Sequence, residues 1–132
     1  MREKAPGDLV TVADEAVEAR LAPLLTSLVP GSIVVGEEGA AADPNLLSRL
    51  FDDRPVWIID PVDGTSNFAE GHAAFAVMVA LVRGRDVLAA WIHDPVKVRT
   101  AVAAAGEGAW LGDRRLAVAS APSAPGDMAG VL

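Results

Sequence analysis

The stretch WIIDPVDGTSNF, residues 57–68, runs four apolar or aromatic residues into Asp60, then a proline, and sets Asp63 three positions further on. Two carboxylates that close repel each other unless positive charge lies between them. A divalent cation is a simple source of that charge. Hard cations such as Mg²⁺ take oxygen ligands, namely carboxylates, carbonyls and water. Val62, flanked by Pro61 and Asp63, is placed to offer a backbone carbonyl. Gly64 and Thr65 add what a phosphate would need. Glycine lets the backbone come close to a ligand, and a helix starting there points free N–H groups and its positive dipole end at an anion. The Thr65 hydroxyl can orient a water molecule.

The remaining candidate acids are Asp8, Asp14, Glu37 and Glu38, each at or near the end of an expected element. Glu37 directly follows a buried apolar run, as Asp60 does, so the two would meet at a sheet edge if their strands were neighbours. Plainer readings exist for each motif alone. Glu37-Glu38 can be a solvated turn, DPVDG an Asx-type turn, and Asp8 and Asp14 a turn residue and a first-turn helix acid. His72 and His93 have no metal-ligand spacing around them and read as surface or packing residues. Trp57 reads as core, and Trp91 and Trp110 as sheet packing. Ser66 lacks the His and Asp partners of a nucleophile.

The elements that must position these acids follow from the apolar spacing. Val17, Leu21, Leu24, Leu25 and Leu28 recur every three or four residues, which predicts a helix from Thr11 to about Val29. Thr11 would be its cap, with Asp14 and Glu15 in the first turn. Residues 1–7 read as frayed. Pro23 would bend or split the helix, and Pro30-Gly31 would end it. Ile33–Val35 is a short buried strand closed by Gly36-Glu37-Glu38-Gly39. Residues 40–54 form a loop with a short helix near Pro44–Phe51, and Val56–Ile59 is the second strand. Thr65–Ala69 is a helical turn, and Phe75–Val82 and Val87–His93 make a hairpin about the tight turn Arg83-Gly84-Arg85-Asp86. Val98–Ala104, Ala109–Leu111 and Leu116–Ala119 continue the series. The expected class is α+β, a helix plus a mostly antiparallel sheet. Residues 1–120 form one domain, and residues 121–132, rich in Ala, Pro and Ser, a tail or linker.

Composition narrows the function. The chain has 132 residues and 52% hydrophobic content, enough for one packed domain. It has no cysteine, which excludes disulfides, thiolate metal sites and cysteine nucleophiles. The net charge of −7 argues against nucleic acid as a partner. No apolar run approaches the roughly 18 residues of a membrane span, and MREKAPGD lacks the apolar segment of a secretory signal. The cytoplasm is therefore the expected compartment. If the substrate is anionic, an acidic site can hold it only through cations.

Taken in order, DLVTVAD, VVGEEG and WIIDPVDGTSNF resemble the inositol monophosphatase family, the Mg²⁺-dependent, lithium-sensitive phosphomonoesterases. FAVMVALVRGRDVLAAWIHDP and GEGAWLGDRRLAVA are similar to the family's following strands, so the resemblance covers about residues 5–120. It implies the N-terminal half of the sugar-phosphatase fold. It also implies that Glu37, Asp60 and the Val62 carbonyl bind a first Mg²⁺, and that Asp60 and Asp63 share a second. Glu37 would reach a third, weaker site whose waters lie near Asp14. Glu37 and Thr65 would orient the attacking water, and Asp63 with the Gly64 and Thr65 amides would hold the phosphate. The implied substrate is a small sugar or inositol phosphate, hydrolysed by metal-activated water without a phospho-enzyme.

The resemblance also sets an expectation of incompleteness. Family members are about twice as long, and their C-terminal half supplies a Trp-Asp motif that completes the second metal site. No Trp-Asp pair occurs in this chain. The chain thus reads as the N-terminal part of such an enzyme, with weak Mg²⁺ binding and slow or absent turnover, and as a homodimer through apolar sheet surface that the other half would cover. Alternatives are a non-catalytic metal-binding or interaction fragment, and a related phosphatase acting on 3′-phosphoadenosine 5′-phosphate, fructose 1,6-bisphosphate or histidinol phosphate.

Overall fold

The computed structural model describes residues 6–120 and Ala124, with side chains from Val12 onward. The stretch expected as a tail, residues 121–132, otherwise lies outside the described residues, as do residues 1–5 and the side chains of Asp8 and Thr11.

The first helix, α1, spans Pro6–Leu28. It starts earlier than the apolar spacing suggests, because proline suits a first turn, where its missing N–H is not needed. Thr11 therefore lies inside the helix and is not its cap. Pro23 does not split the helix. Leu21 and Leu25, on either side of it, both pack against Trp57 and Ile59, and that packing outweighs one lost backbone bond.

Among the described residues, seven strands form a single sheet in chain order. They are β1 (Ile33–Gly36), β2 (Val56–Asp63), β3 (Ala76–Arg83), β4 (Asp86–Asp94), β5 (Arg99–Ala104), β6 (Gly108–Leu111) and β7 (Arg114–Leu116). The β1–β2 pair is parallel and every later pair antiparallel. A parallel pair needs a crossover. Here it consists of a short helix α2 (Glu37–Ala42) and a 3₁₀ stretch, Pro44–Phe51. The Gly36–Gly39 segment, expected as a turn, is thus the entry to a helix. The last strand is shorter than expected and stops at Leu116, so residues 117–119 do not pair.

The core is centred on β2, which is covered on both faces. Trp57 and Ile59 pack under α1 with Leu25, while Val56 packs with Val35 and Val82 beside Leu50 and Ala40. A strand buried on both sides reads as a continuous apolar run rather than an alternating one, which explains VWII. Each such side chain contributes about 1.5–3 kcal/mol when fully buried. Trp57 also meets Trp91 at a ring-centroid distance of 5.7 Å and donates its Nε1–H to Ser32 Oγ at 3.1 Å. No helix among the described residues is long and apolar enough to cross a membrane.

Candidate metal centre

The register of β1 and β2 brings the acids together. Gly36 pairs with Ile59, so the next residue of each strand, Glu37 and Asp60, emerges at the same level. Asp60 is not at a strand end as expected. Strand β2 runs on to Asp63, with its pairing to β3 shifted between Asp60 and Asp63. Such an irregularity re-aims side chains, and Pro61 inside it is buried. Gly64 then turns the chain into helix α3 (Thr65–Ala69), with φ of +86°. A side chain there would strike the Ala74 carbonyl oxygen at 2.8 Å, so glycine is required for both backbone and space.

Four carboxylates sense one another at this edge. Asp14 of α1 is buried, at 7% exposure. Its pKa is raised first by burial, then by the charges of Glu37, Asp60 and Glu18. Glu37 is more open, yet it is also raised by loss of water around its carboxyl, by the charges of Asp60, Glu38 and Glu18, and by a hydrogen bond to Asp60. Asp60 is raised by burial and by Asp63, against the opposing effects of the Val62 backbone N–H and of Glu37. No cation offsets this repulsion among the causes of the three shifts. Glu38 is raised too, by burial and by Asp14, Glu15 and Glu18.

Among the described residues, two oxygens are buried without any hydrogen-bond partner, Asp14 Oδ1 and Asp60 Oδ1. Buried polar atoms are nearly always paired, so an orphan needs an explanation such as an ion. Among the described residues, no group of three or more Asp, Glu and His side chains is arranged to hold a metal ion as it stands. Glu37 and Asp60 are in contact with each other instead. The donor chemistry nevertheless fits a hard divalent cation, since all the candidate ligands are oxygens and the carboxyls carry raised pKa values that a cation would lower.

The other expected residues fall around this cluster. Asp63 is exposed at the mouth of the site. The Thr65 hydroxyl donates to the Val62 carbonyl at 3.0 Å and is not joined to Glu37. Its oxygen keeps lone pairs that can accept a proton from water, and the Val62 carbonyl keeps a second lone pair. His72 is exposed beside Glu70, and His93 Nδ1 pairs with Thr100 Oγ1 at 2.9 Å, so neither joins the site. Some residues here were not anticipated. Glu18 bonds to α2 (below), and Asn67 Nδ2 donates to the Ala74 carbonyl at 2.7 Å, tying α3 to the approach of β3. Lys97 and Arg99, with Asp94, line an open cavity of about 520 Å³ beside Asp63. Two cations so close together in an acidic chain were the available signal.

Comparison with known proteins gives one result throughout. Residues 2–131 match the inositol monophosphatase family. The chain is 37% identical over 116 residues to inositol-1-monophosphatase of Mesorhizobium japonicum, covering 88% of this chain and 41% of that protein. It superimposes on inositol monophosphatase-II from Staphylococcus aureus with a TM-score of 0.71 at 32% identity, over 84% of this chain and 41% of that one. Inositol monophosphate-bound SaIMPase-II gives 0.68 at 26%, over 86% and 41%. The chain spans about two fifths of the length of these relatives. With a helix, a mostly antiparallel sheet and an acidic edge on the scaffold those proteins share, the chain belongs to the inositol monophosphatase family.

Proposed function

We propose that this chain is the metal-binding portion of an Mg²⁺-dependent phosphomonoesterase acting on a small sugar or inositol phosphate. The observation that carries the reading is the pair of partnerless buried oxygens, Asp14 Oδ1 and Asp60 Oδ1, in a cluster of raised carboxyls. Glu37, Asp60, Asp63 and the Val62 carbonyl would hold Mg²⁺. Bound there, it would supply a water of lowered pKa and neutralise charge on a phosphoryl group. Glu37 and Thr65 Oγ1 would orient the attacking water, the Thr65 proton resting on the Val62 carbonyl, with Asp14 at the buried side. The amides of Gly64 and Thr65, with Asp63 beside them, hold the phosphate. The cavity next to Asp63 leaves room for the alcohol part of the ester. The inositol monophosphate bound by SaIMPase-II supports this substrate class.

Because the chain has no Trp-Asp pair, it binds Mg²⁺ weakly on this reading and releases phosphate slowly or not at all by itself. We further assign it a cytoplasmic location and a homodimeric state. Calorimetric Mg²⁺ titration tests the metal site. Inorganic phosphate released from inositol 1-phosphate with and without Mg²⁺ separates a catalytic chain from a purely metal-binding one. Saturable Mg²⁺ binding is expected, and its absence in the folded chain would reject the reading.

A further inference from the structure

Glu18 lies in α1, yet its carboxylate reaches across to α2. Oε2 accepts the backbone N–H of Glu38 and Oε1 that of Gly39, both at 3.1 Å. These are first-turn amides, which a helix leaves without internal partners. Gly36, at the cap position, has no side chain to satisfy them. Two bonds from one planar carboxylate fix both the position and the rotation of that turn, and an ionised acceptor is a strong one. Gly36 belongs to the same arrangement. Its φ of −101° suits any residue, but a side chain there would fall on Glu18, whose carboxyl atoms are the three nearest neighbours of that point. Glycine is present to make room for the carboxylate.

We propose that Glu18 is a positioning residue that clamps the first turn of α2 from α1 and thereby sets Glu37 against Asp60 and Asp14. The proposal rests on the metal reading for what those acids bind, but not for the clamp itself. Glu18 adds negative charge to a crowded site, so its placement works against Asp14 and Glu37 electrostatically. Its two hydrogen bonds to α2 are the compensating contribution.

Two measurements test it. In the metal-free chain, amide hydrogen exchange at Glu38 and Gly39 should be slower than in Glu18→Gln by about tenfold, the worth of one or two hydrogen bonds. The glutamine has nearly the same shape but only one acceptor oxygen. In Mg²⁺ calorimetry, Glu18→Gln and Gly36→Ala should each weaken binding about five- to tenfold, and the double variant should be no weaker than the weaker single one. Gly36→Ala keeps the charge and displaces the carboxylate. If it binds Mg²⁺ like the parent chain, or if the effects add, Glu18 acts only through its charge and the proposal is overturned. Equal exchange in parent and Glu18→Gln overturns it too, even if Gly36→Ala does not fold. Protected amides in a chain that binds no Mg²⁺ would remove the metal reading and leave the clamp standing.

Discussion

Glu37 and Asp60 stand carboxyl to carboxyl because each is the next residue after a register pair, Gly36 and Ile59, on two parallel strands. Parallel pairing sends both chains out at the same edge, so acids distant in sequence meet there. Their contact raises the pKa of Glu37 and opposes the rise at Asp60. On the proposed metal reading, a cation bound at this pair would displace its proton.

This has a pH consequence. Asp14, Glu37 and Asp60 all titrate at higher pH in the folded chain than when unfolded. Between the two values the folded chain binds more protons, so stability falls as pH rises. The contribution is complete below the unfolded values of about 4 and is lost as pH climbs through the raised ones. Asp52 works in the opposite sense, being held at about 2 by Arg54, but it acts only at lower pH. Thermal melts from about pH 4 to 8, bracketing the unfolded carboxylate values and neutrality, should show the metal-free chain weakening toward the alkaline end. Mg²⁺ should restore it most there. Equal Mg²⁺ stabilisation at every pH would contradict the coupling.

Thr65→Ala removes a hydroxyl bonded to the Val62 carbonyl and leaves every carboxylate in place. Mg²⁺ affinity should change by less than about threefold, a difference under about 1 kcal/mol. Mg²⁺-dependent phosphate release, where measurable, should fall roughly 10²-fold or more, the scale of a lost proton acceptor. Loss of Mg²⁺ binding in this variant would reassign Thr65 as a metal-site residue.

Gly64→Ala combines a positive φ with a 2.8 Å approach to the Ala74 carbonyl. Destabilisation of about 1–3 kcal/mol is expected, read as a lower denaturation midpoint in urea. Gly112→Ala also replaces a positive-φ glycine, but has nothing within 4 Å of the added methyl. It should cost less.

Exposed apolar surface carries the expectation of self-association. Leu24 and Leu28 are 60% and 71% exposed on α1, and an apolar cavity of about 400 Å³ opens between α1 and the sheet, lined by Leu21, Leu24, Val77, Val79 and Trp91. Light scattering is expected to give twice the chain mass. A clean monomer at concentrations on the order of tens of micromolar, where an interface of ordinary affinity is populated, would remove the dimer.

The strands were legible where burial made apolar runs, as at Ile33–Val35 and Val56–Ile59. The short helix Thr65–Ala69 was readable from the glycine before it. What escaped reading depended on tertiary contact. Glu37 and Glu38 are first-turn acids of α2, but the partner of its first amides, Glu18, lies far back in α1. Pro23 argued for a break that packing of Leu21 and Leu25 prevents. The acids at 14, 37, 60 and 63 were identifiable by type and spacing, but their meeting required the parallel register, which no local pattern encodes.

Asp60 is the residue at which the acids converge, so its neutralisation is the decisive change. Calorimetric Mg²⁺ titration of Asp60→Asn beside the parent chain, both verified as folded by circular dichroism, compares a charged with an uncharged isostere. Saturable binding in the parent that vanishes in the variant is the expected result. Undiminished Mg²⁺ affinity in Asp60→Asn would contradict a cation held at this edge.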